Sequence, residues 1–339
     1  MRVLRRWWEW RPILFSLIID NFCVKYFGKR HAHHLRKKNW KGDLYAGINL
    51  KWDYTQRTCR LTTNDYIADL CLKCNHPDPK KRQFSLYKHT PIIYGAKIKY
   101  TTKPPLSPAL NVKGIFRVQF IVGALLYYAR AVDKKLLFGI NKLGQQQSSA
   151  TKDTAADLLQ LLDYIVTYPN NVILFHASGM VLAGHSDAAY LIVSKARSRA
   201  GAHIMISEDT LIPTSNDPFL NVTQIIKFVM SSASEAKIYG LFICAKAMVP
   251  LRNTLIKMSW PQPKYPIQCD KSTSVGVANH TIIQGKTKTM KMQYHWIRCH
   301  EAQGQLRFFW DLGSDNLANY STKNHLPLYH EAHRHTHVG

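Results

Sequence analysis

Four side chains in the second half of this sequence could ligate a metal through oxygen. Asp187 lies in His185-Ser186-Asp187-Ala188-Ala189-Tyr190. Glu235 follows Ser231-Ser232-Ala233-Ser234. Asp270 ends Pro266-Ile267-Gln268-Cys269, and Asn319 lies in Asp315-Asn316-Leu317-Ala318-Asn319-Tyr320. Carboxylates near strand ends suit two-metal chemistry, because Mg2+ takes hard oxygen ligands, keeps several waters and needs only a few Asp or Glu side chains. Each residue also has an ordinary structural role open to it. Glu235 sits at a helix start, where a negative charge is favoured and Ser234 could cap; Asp187 and Asp270 could be turn residues. They are far apart in sequence, so only a fold can make them a site.

The elements that must position them follow from apolar patterning. Val172 to Phe175, Val181 to His185, Ala200 to Ile206 and Val222 to Val229 read as strands, and Ser234 to Ala247 as a helix. Then come a strand at Pro266 to Cys269, a helix at Lys288 to Glu301, a strand at Leu306 to Trp310 and a helix at Asp315 to Lys323. This succession describes a mixed α/β domain. Upstream, Ala155, Leu158, Leu159, Leu162, Ile165 and Val166 form one face of a helix that Pro169-Asn170-Asn171 stops. Gln145 to Ser149 reads as a linker, Val118 to Val132 as an apolar helix, and His76 to Pro108 as a Pro-punctuated loop. Asp65 to Cys74 is helical, and Leu44 to Tyr54 and Arg57 to Leu61 are two strands. At the front, Ile13 to Ile19 and Phe22 to Tyr26 pair across Asp20-Asn21 as a hairpin.

At 339 residues and 46% apolar, the chain can bury the cores of two domains. Lys and Arg number 46 against 21 Asp and Glu, a formal charge of +25, which points to a nucleic-acid backbone as partner. Seven cysteines without framework spacing argue for a reducing compartment. Cys71, Cys74 and His76 resemble half a zinc site, but no second pair has ligand spacing and i, i+3 is ordinary on a helix. Arg2, Arg5 and Arg6 before Ile13 to Ile19 mimic a signal peptide. The tryptophans Trp7, Trp8 and Trp10 interrupt the approach, Asp20 ends the run, and it is far short of the roughly 20 residues a bilayer needs. The expectation is a cytoplasmic or nuclear protein, neither secreted nor in a membrane.

The order and wording of these segments resemble the C-terminal end of copia-type retrotransposon polyproteins. The family's RNase H domain has a first Asp in "SDA", then "SS-x-EAE", a strand ending in Asp, a "K-x-IDMR-x-x-WIR"-like helix and "DNLADxFTK". The matching segments here are His185 to Tyr190, Ser231 to Lys237, Ile267 to Asp270, Lys288 to Arg298, and Asp315 to Lys323. Lys195 to Gly201 matches the family's "R-S-x-x-G" turn, and Gly123 to Arg130 and Ala155 to Tyr164 resemble its two upstream helices. The front resembles the family's reverse transcriptase. Leu17 to Asn21 sits where the polymerase has "xxDD", and Trp40 to Tyr54 resembles "W-x-G-x-x-Y-x-G-x-x-L-x-WDY".

The resemblance implies an RNase H-like mixed five-stranded sheet with flanking helices, preceded by a partial reverse transcriptase palm and thumb. The implied divisions are residues 1–60 (palm/thumb), 61–153 (thumb/connection and linker), 154–325 (RNase H-like) and 326–339 (tail). It implies cleavage of the RNA strand of an RNA–DNA hybrid by two Mg2+ ions. Asp187 would bridge both ions, Glu235 and Asp270 would hold the ion on the leaving-group side, and Asn319 would stand where the last carboxylate serves the water-activating ion. Lys195, Arg197 and Arg199 are candidate phosphate contacts. Two acidic positions depart from the family: Asn21 replaces the second Asp of the polymerase pair, and Asn319 the fourth RNase H carboxylate. The earlier palm carboxylate motif and the fingers are absent from the sequence. Asp20 and Asn21 are therefore expected to be inert in polymerisation, and the ribonuclease is expected to be impaired. A nucleic-acid-binding domain without catalysis is the alternative.

Overall fold

The computed structural model describes residues 44–45, 47–89, 107–193, 196–282 and 291–332. The expected hairpin with Asp20 and Asn21, and Lys195, lie outside the described residues.

The first part is a sheet covered by helices. Strands β1 (Leu44–Tyr45), β2 (Ile48–Asp53) and β3 (Thr58–Thr62) form an antiparallel meander. Alternation buries Ile48, Leu50, Cys59 and Leu61 on one face and leaves Lys51 and Arg60 exposed. Helices α1 (Tyr66–Cys74), α2 (Val112–Ala131), α3 (Leu136–Gln146) and α4 (Lys152–Thr167) follow. Asn111 caps α2, its side chain accepting from the Gly114 N–H, and Thr151 and Thr154 form a reciprocal capping box at α4. The α2 residues Val118, Ile121, Val122, Leu125 and Tyr128 share one buried cluster with Leu158, Leu161, Leu162 and Ile165 of α4. By length and composition α2 is apolar enough to cross a membrane; here these five residues are part of a core.

Two expectations are corrected in this part. Residues 145–149 are not a free linker: α3 runs to Gln146 and a 3-10 turn continues over Gln147–Ser149. The strand expected in the second domain, β4 (Ile173–His176), instead pairs antiparallel with β3, closing a sheet of order β1-β2-β3-β4. A four-residue apolar run carries no local mark of its partner, so sequence reading assigned it to its nearest neighbours.

The second sheet contains β5 (Val181–Val193), β6 (Arg197–Ser207) and β7 (Leu220–Ile225) as an antiparallel meander. The long helix α5 (Ala233–Lys257) then crosses to β8 (Tyr265–Cys269), followed by α6 (Ser272–Ala278), α7 (Lys291–Ala302) and β9 (Leu306–Trp310). Strands β8 and β9 run parallel to β5, and the order is β7-β6-β5-β8-β9. This is the mixed five-stranded sheet with flanking helices that the resemblance implied. Its core joins Leu241, Cys244, Ala245 and Met248 of α5 to Leu182, Ile204 and Ile267 of the sheet. The helix expected over Asp315 to Lys323 is only a 3-10 turn at Asn319–Ser321, before α8 (Pro327–Ala332). Side-chain bonds hold that segment instead: Asn316 Nδ2 donates to the Ser186 carbonyl at 2.9 Å, and the Leu317 N–H donates to His185 Nδ1 at 3.1 Å.

Candidate functional site

Strand register brings the two aspartates together. The parallel ladder between β5 and β8 matches Ser186 with Cys269, so the next step along both chains places Asp187 beside Asp270 on the same face. Asp187 is mid-strand and fully buried, whereas Asp270 follows the last residue of β8. Helix α5 approaches β5 at this level because residue 240 is glycine; a Cβ there would lie 3.0 Å from the Asp187 carbonyl oxygen. Lys237, one turn earlier on the same helix face, therefore points at both carboxylates. Its Nζ donates to Asp187 Oδ1 and, at 2.6 and 2.7 Å, to the two oxygens of Asp270. Two carboxylates that share one ammonium are at most roughly 6 Å apart, two hydrogen-bond lengths.

The C-terminal segment completes the enclosure. Gly201 pairs with Asp187 in the β5–β6 ladder, and a Cβ at 201 would lie 2.5 Å from Thr322 Cγ2 and 2.7 Å from Ser321 Oγ. The glycine lets Thr322 sit over the strand, where its hydroxyl donates to Asp187 Oδ2. Asn319 Nδ2 donates to the Gly313 carbonyl at 3.3 Å, and Gly313 in turn lies against Asp270. The Asn319 Oδ1 is buried with no hydrogen-bond partner.

Burial by itself would raise the Asp187 carboxyl. The Lys237 and Lys323 charges, with the bonds from Lys237 and Thr322, outweigh it and hold the group below its ordinary value. Burial likewise opposes charge on Lys237, but Asp187 and Asp270 overcome it and raise the ammonium. The result is a closed, charge-matched cluster rather than an acidic cradle.

Of the four expected residues, Asp187, Asp270 and Asn319 come to one place. Glu235 acts at the start of α5: its Oε2 accepts from the N–H (2.6 Å) and hydroxyl (2.5 Å) of Ser231, while Ser232, not Ser234, is the cap. Arg199 is not a phosphate contact. It is buried, its guanidinium lies 4.0 Å over the Phe138 ring and donates to the Phe138 carbonyl at 3.4 Å. Arg197 is half-buried at the start of β6. Of the half zinc site, Cys71 and Cys74 lie on α1 and His76 Nε2 meets Asp163 at 2.9 Å.

Mg2+ does not fit this centre as it stands. Both oxygens of Asp187 and both of Asp270 already accept from protein donors, an ammonium fills the space between them, and Asn319 adds no charge. Among the described residues, no group of three or more His, Cys, Asp or Glu is placed to hold a metal ion.

No protein-family model matches the chain. It is 21% identical over 316 residues to the retrovirus-related Pol polyprotein from transposon RE1 of Arabidopsis thaliana, covering 92% of this chain and 19% of that protein. It is 21% identical over 203 residues to the corresponding polyprotein from transposon TNT 1-94 of Nicotiana tabacum, covering 60% of this chain and 15% of that protein. The chain is a relative of the retrovirus-related Pol polyproteins of plant transposons. It spans less than a fifth of the length of these relatives. Among solved structures, the N-terminal RNase H domain of rv2228c from Mycobacterium tuberculosis is 12% identical, with 46% of this chain and 98% of that chain covered and a TM-score of 0.31. LC11-RNase H1, solved in complex with an RNA/DNA hybrid, is 11% identical, with 40% of this chain and 88% of that chain covered and a TM-score of 0.29. In this Pol-related chain, Lys237 occupies the last position of the "EAE" pattern. The signal was in the sequence: an acidic position of the pattern had become basic, two residues beyond the glutamate that drew attention.

Proposed function

We propose that this chain carries a copia-type RNase H-like domain that binds an RNA–DNA hybrid and does not cut it. The observation that carries the reading is the Lys237 ammonium bound to both Asp187 and Asp270 at the place where the resemblance would put metal ligands. A centre of two carboxylates matched by Lys237, with Lys323 also acting on Asp187, has little electrostatic pull on a divalent cation. The +25 balance favours a polyanion, and a hybrid is recognised through shape, phosphates and 2′-hydroxyls rather than by metal alone. Lys195 and Arg197 are the phosphate contacts that remain in this reading.

Fluorescence anisotropy of a labelled RNA–DNA hybrid tests it. Binding should fall by roughly a hundredfold or more between 50 and 200 mM salt, the slope expected of several phosphate contacts. No binding at low salt, or Mg2+-dependent cutting that Asp187→Asn removes, would overturn the reading.

A further inference from the structure

We propose that the Lys237 ammonium is a tethered cation in the position of a divalent metal ion, and that the chain holds a latent divalent-cation site which replacing Lys237 opens. This inference rests on the reading of the centre as closed and is independent of whether the domain binds a hybrid. Lys237 Nζ meets carboxylate oxygens from β5 and from the residue just past β8 at once, a ligand arrangement that suits a metal ion as well as an ammonium. A buried carboxylate such as Asp187 requires a counterion, and the tethered charge supplies it without any solute. A small hard cation would need the oxygens to close in only slightly, since Mg–O contacts run near 2.1 Å against about 2.7 Å for a charged hydrogen bond.

A second feature points the same way. Asn319 Oδ1 is a hard oxygen acceptor, buried and without a hydrogen-bond partner, on the segment that Gly313 places against Asp270. An ammonium whose bonds are taken by the two aspartates leaves this acceptor unused; a metal ion, with six coordination positions, has room for it. Lys237→Glu would change the local charge by two units and supply a third carboxylate from the face of α5 that already points inward.

The test uses the full chain and Mn2+ alone, without nucleic acid. Bound Mn2+ is read by the loss of the free-ion paramagnetic resonance signal, and stability by melting temperature in Mn2+ against chelator. The wild-type chain should bind no Mn2+ at this centre and melt at the same temperature in both. Lys237→Glu should bind Mn2+, gain roughly 5 °C on its addition, and lose both effects when Asp187→Asn is added. Lys237→Gln, which removes the charge without adding another, should show a weaker stabilisation by Mn2+. Binding of Mn2+ by the wild type that Asp270→Asn abolishes would overturn the proposal. So would folded Lys237→Glu and Lys237→Gln chains that take up no Mn2+, or failure of both to fold at any Mn2+ concentration, because a metal in the lysine's place should restore the cross-brace. Loss of hybrid binding by the wild type would count against the proposed function and leave this result untouched.

Discussion

Two lysines lie beside carboxylates inside the fold: Lys237, half-buried where α5 meets the five-stranded sheet, and Lys134, buried just before α3. Lys237 bonds to two aspartates, the Asp270 contacts being 2.6 and 2.7 Å. Lys134 Nζ lies 3.5 Å from Asp217 Oδ1 and 3.5 Å from His203 Nδ1, with Lys135 adjacent. Burial disfavours the charged form at both. Two close carboxylates reverse that at Lys237 and raise it. At Lys134 burial prevails over Asp217, and the ammonium is pushed down to about 8. A lysine drawn into the fold stays a fixed cation where two close carboxylates enclose it. One longer contact leaves the charge close to dispensable. The acidic centre has the first kind of lysine, which is why it reads as closed.

Three substitutions separate the two lysines by their effect on stability. Lys237→Met should have the largest effect, because it strands two facing carboxylates; a loss of about 3–5 kcal/mol is expected in urea denaturation with chelator present. A change under about 1 kcal/mol would mean that the ion pairs do not hold the centre. Gly201→Ala should come next. Its methyl group would collide with Thr322 and Ser321, and overpacking of this kind costs about 1–3 kcal/mol. A melting temperature equal to wild type would show that the segment can withdraw from Asp187 without penalty.

Lys134→Met should be the mildest at neutral pH, within about 1.5 kcal/mol of wild type, and its signature lies in alkali. The folded chain releases the Lys134 proton near pH 8, well below the ordinary lysine value of 10.5. Between those values the unfolded chain binds more protons, so Lys134 makes stability rise with pH across that window. The difference between wild type and Lys134→Met, measured from pH 8 to 10.5, should therefore shift in favour of wild type as pH increases. A constant difference would contradict the shifted lysine.

How much of this was legible in the sequence varies by residue. Asp187 and Asp270 were readable because strand patterning and the polyprotein resemblance both located them, and the parallel register then sets them side by side. Strands β8 and β9 agree with their apolar runs to within a residue, whereas β5 continues eight residues past His185 and β7 ends four residues before Val229, because polar residues inside a strand carry no local mark of the ladder they join. The partner of β4 was not legible, because its pairing with β3 spans more than a hundred residues and depends on tertiary packing. Glu235 drew attention as an acid near a helix start, and its bonds at the start of α5 are to Ser231. Lys237 was overlooked because a lysine on a helix ordinarily faces solvent; only the close approach at Gly240 turns it inward. Arg199 looked like a phosphate contact in a basic turn, but its place in a strand over Phe138 buries it.

The most direct measurement is single-turnover incubation of the wild-type chain with a labelled RNA–DNA hybrid in Mg2+, beside Asp187→Asn and Lys237→Glu. The wild type should leave the RNA strand as intact as Asp187→Asn does, although it binds the hybrid. Cutting by the wild type that requires Mg2+, and that Asp187→Asn abolishes, would contradict a centre closed by Lys237.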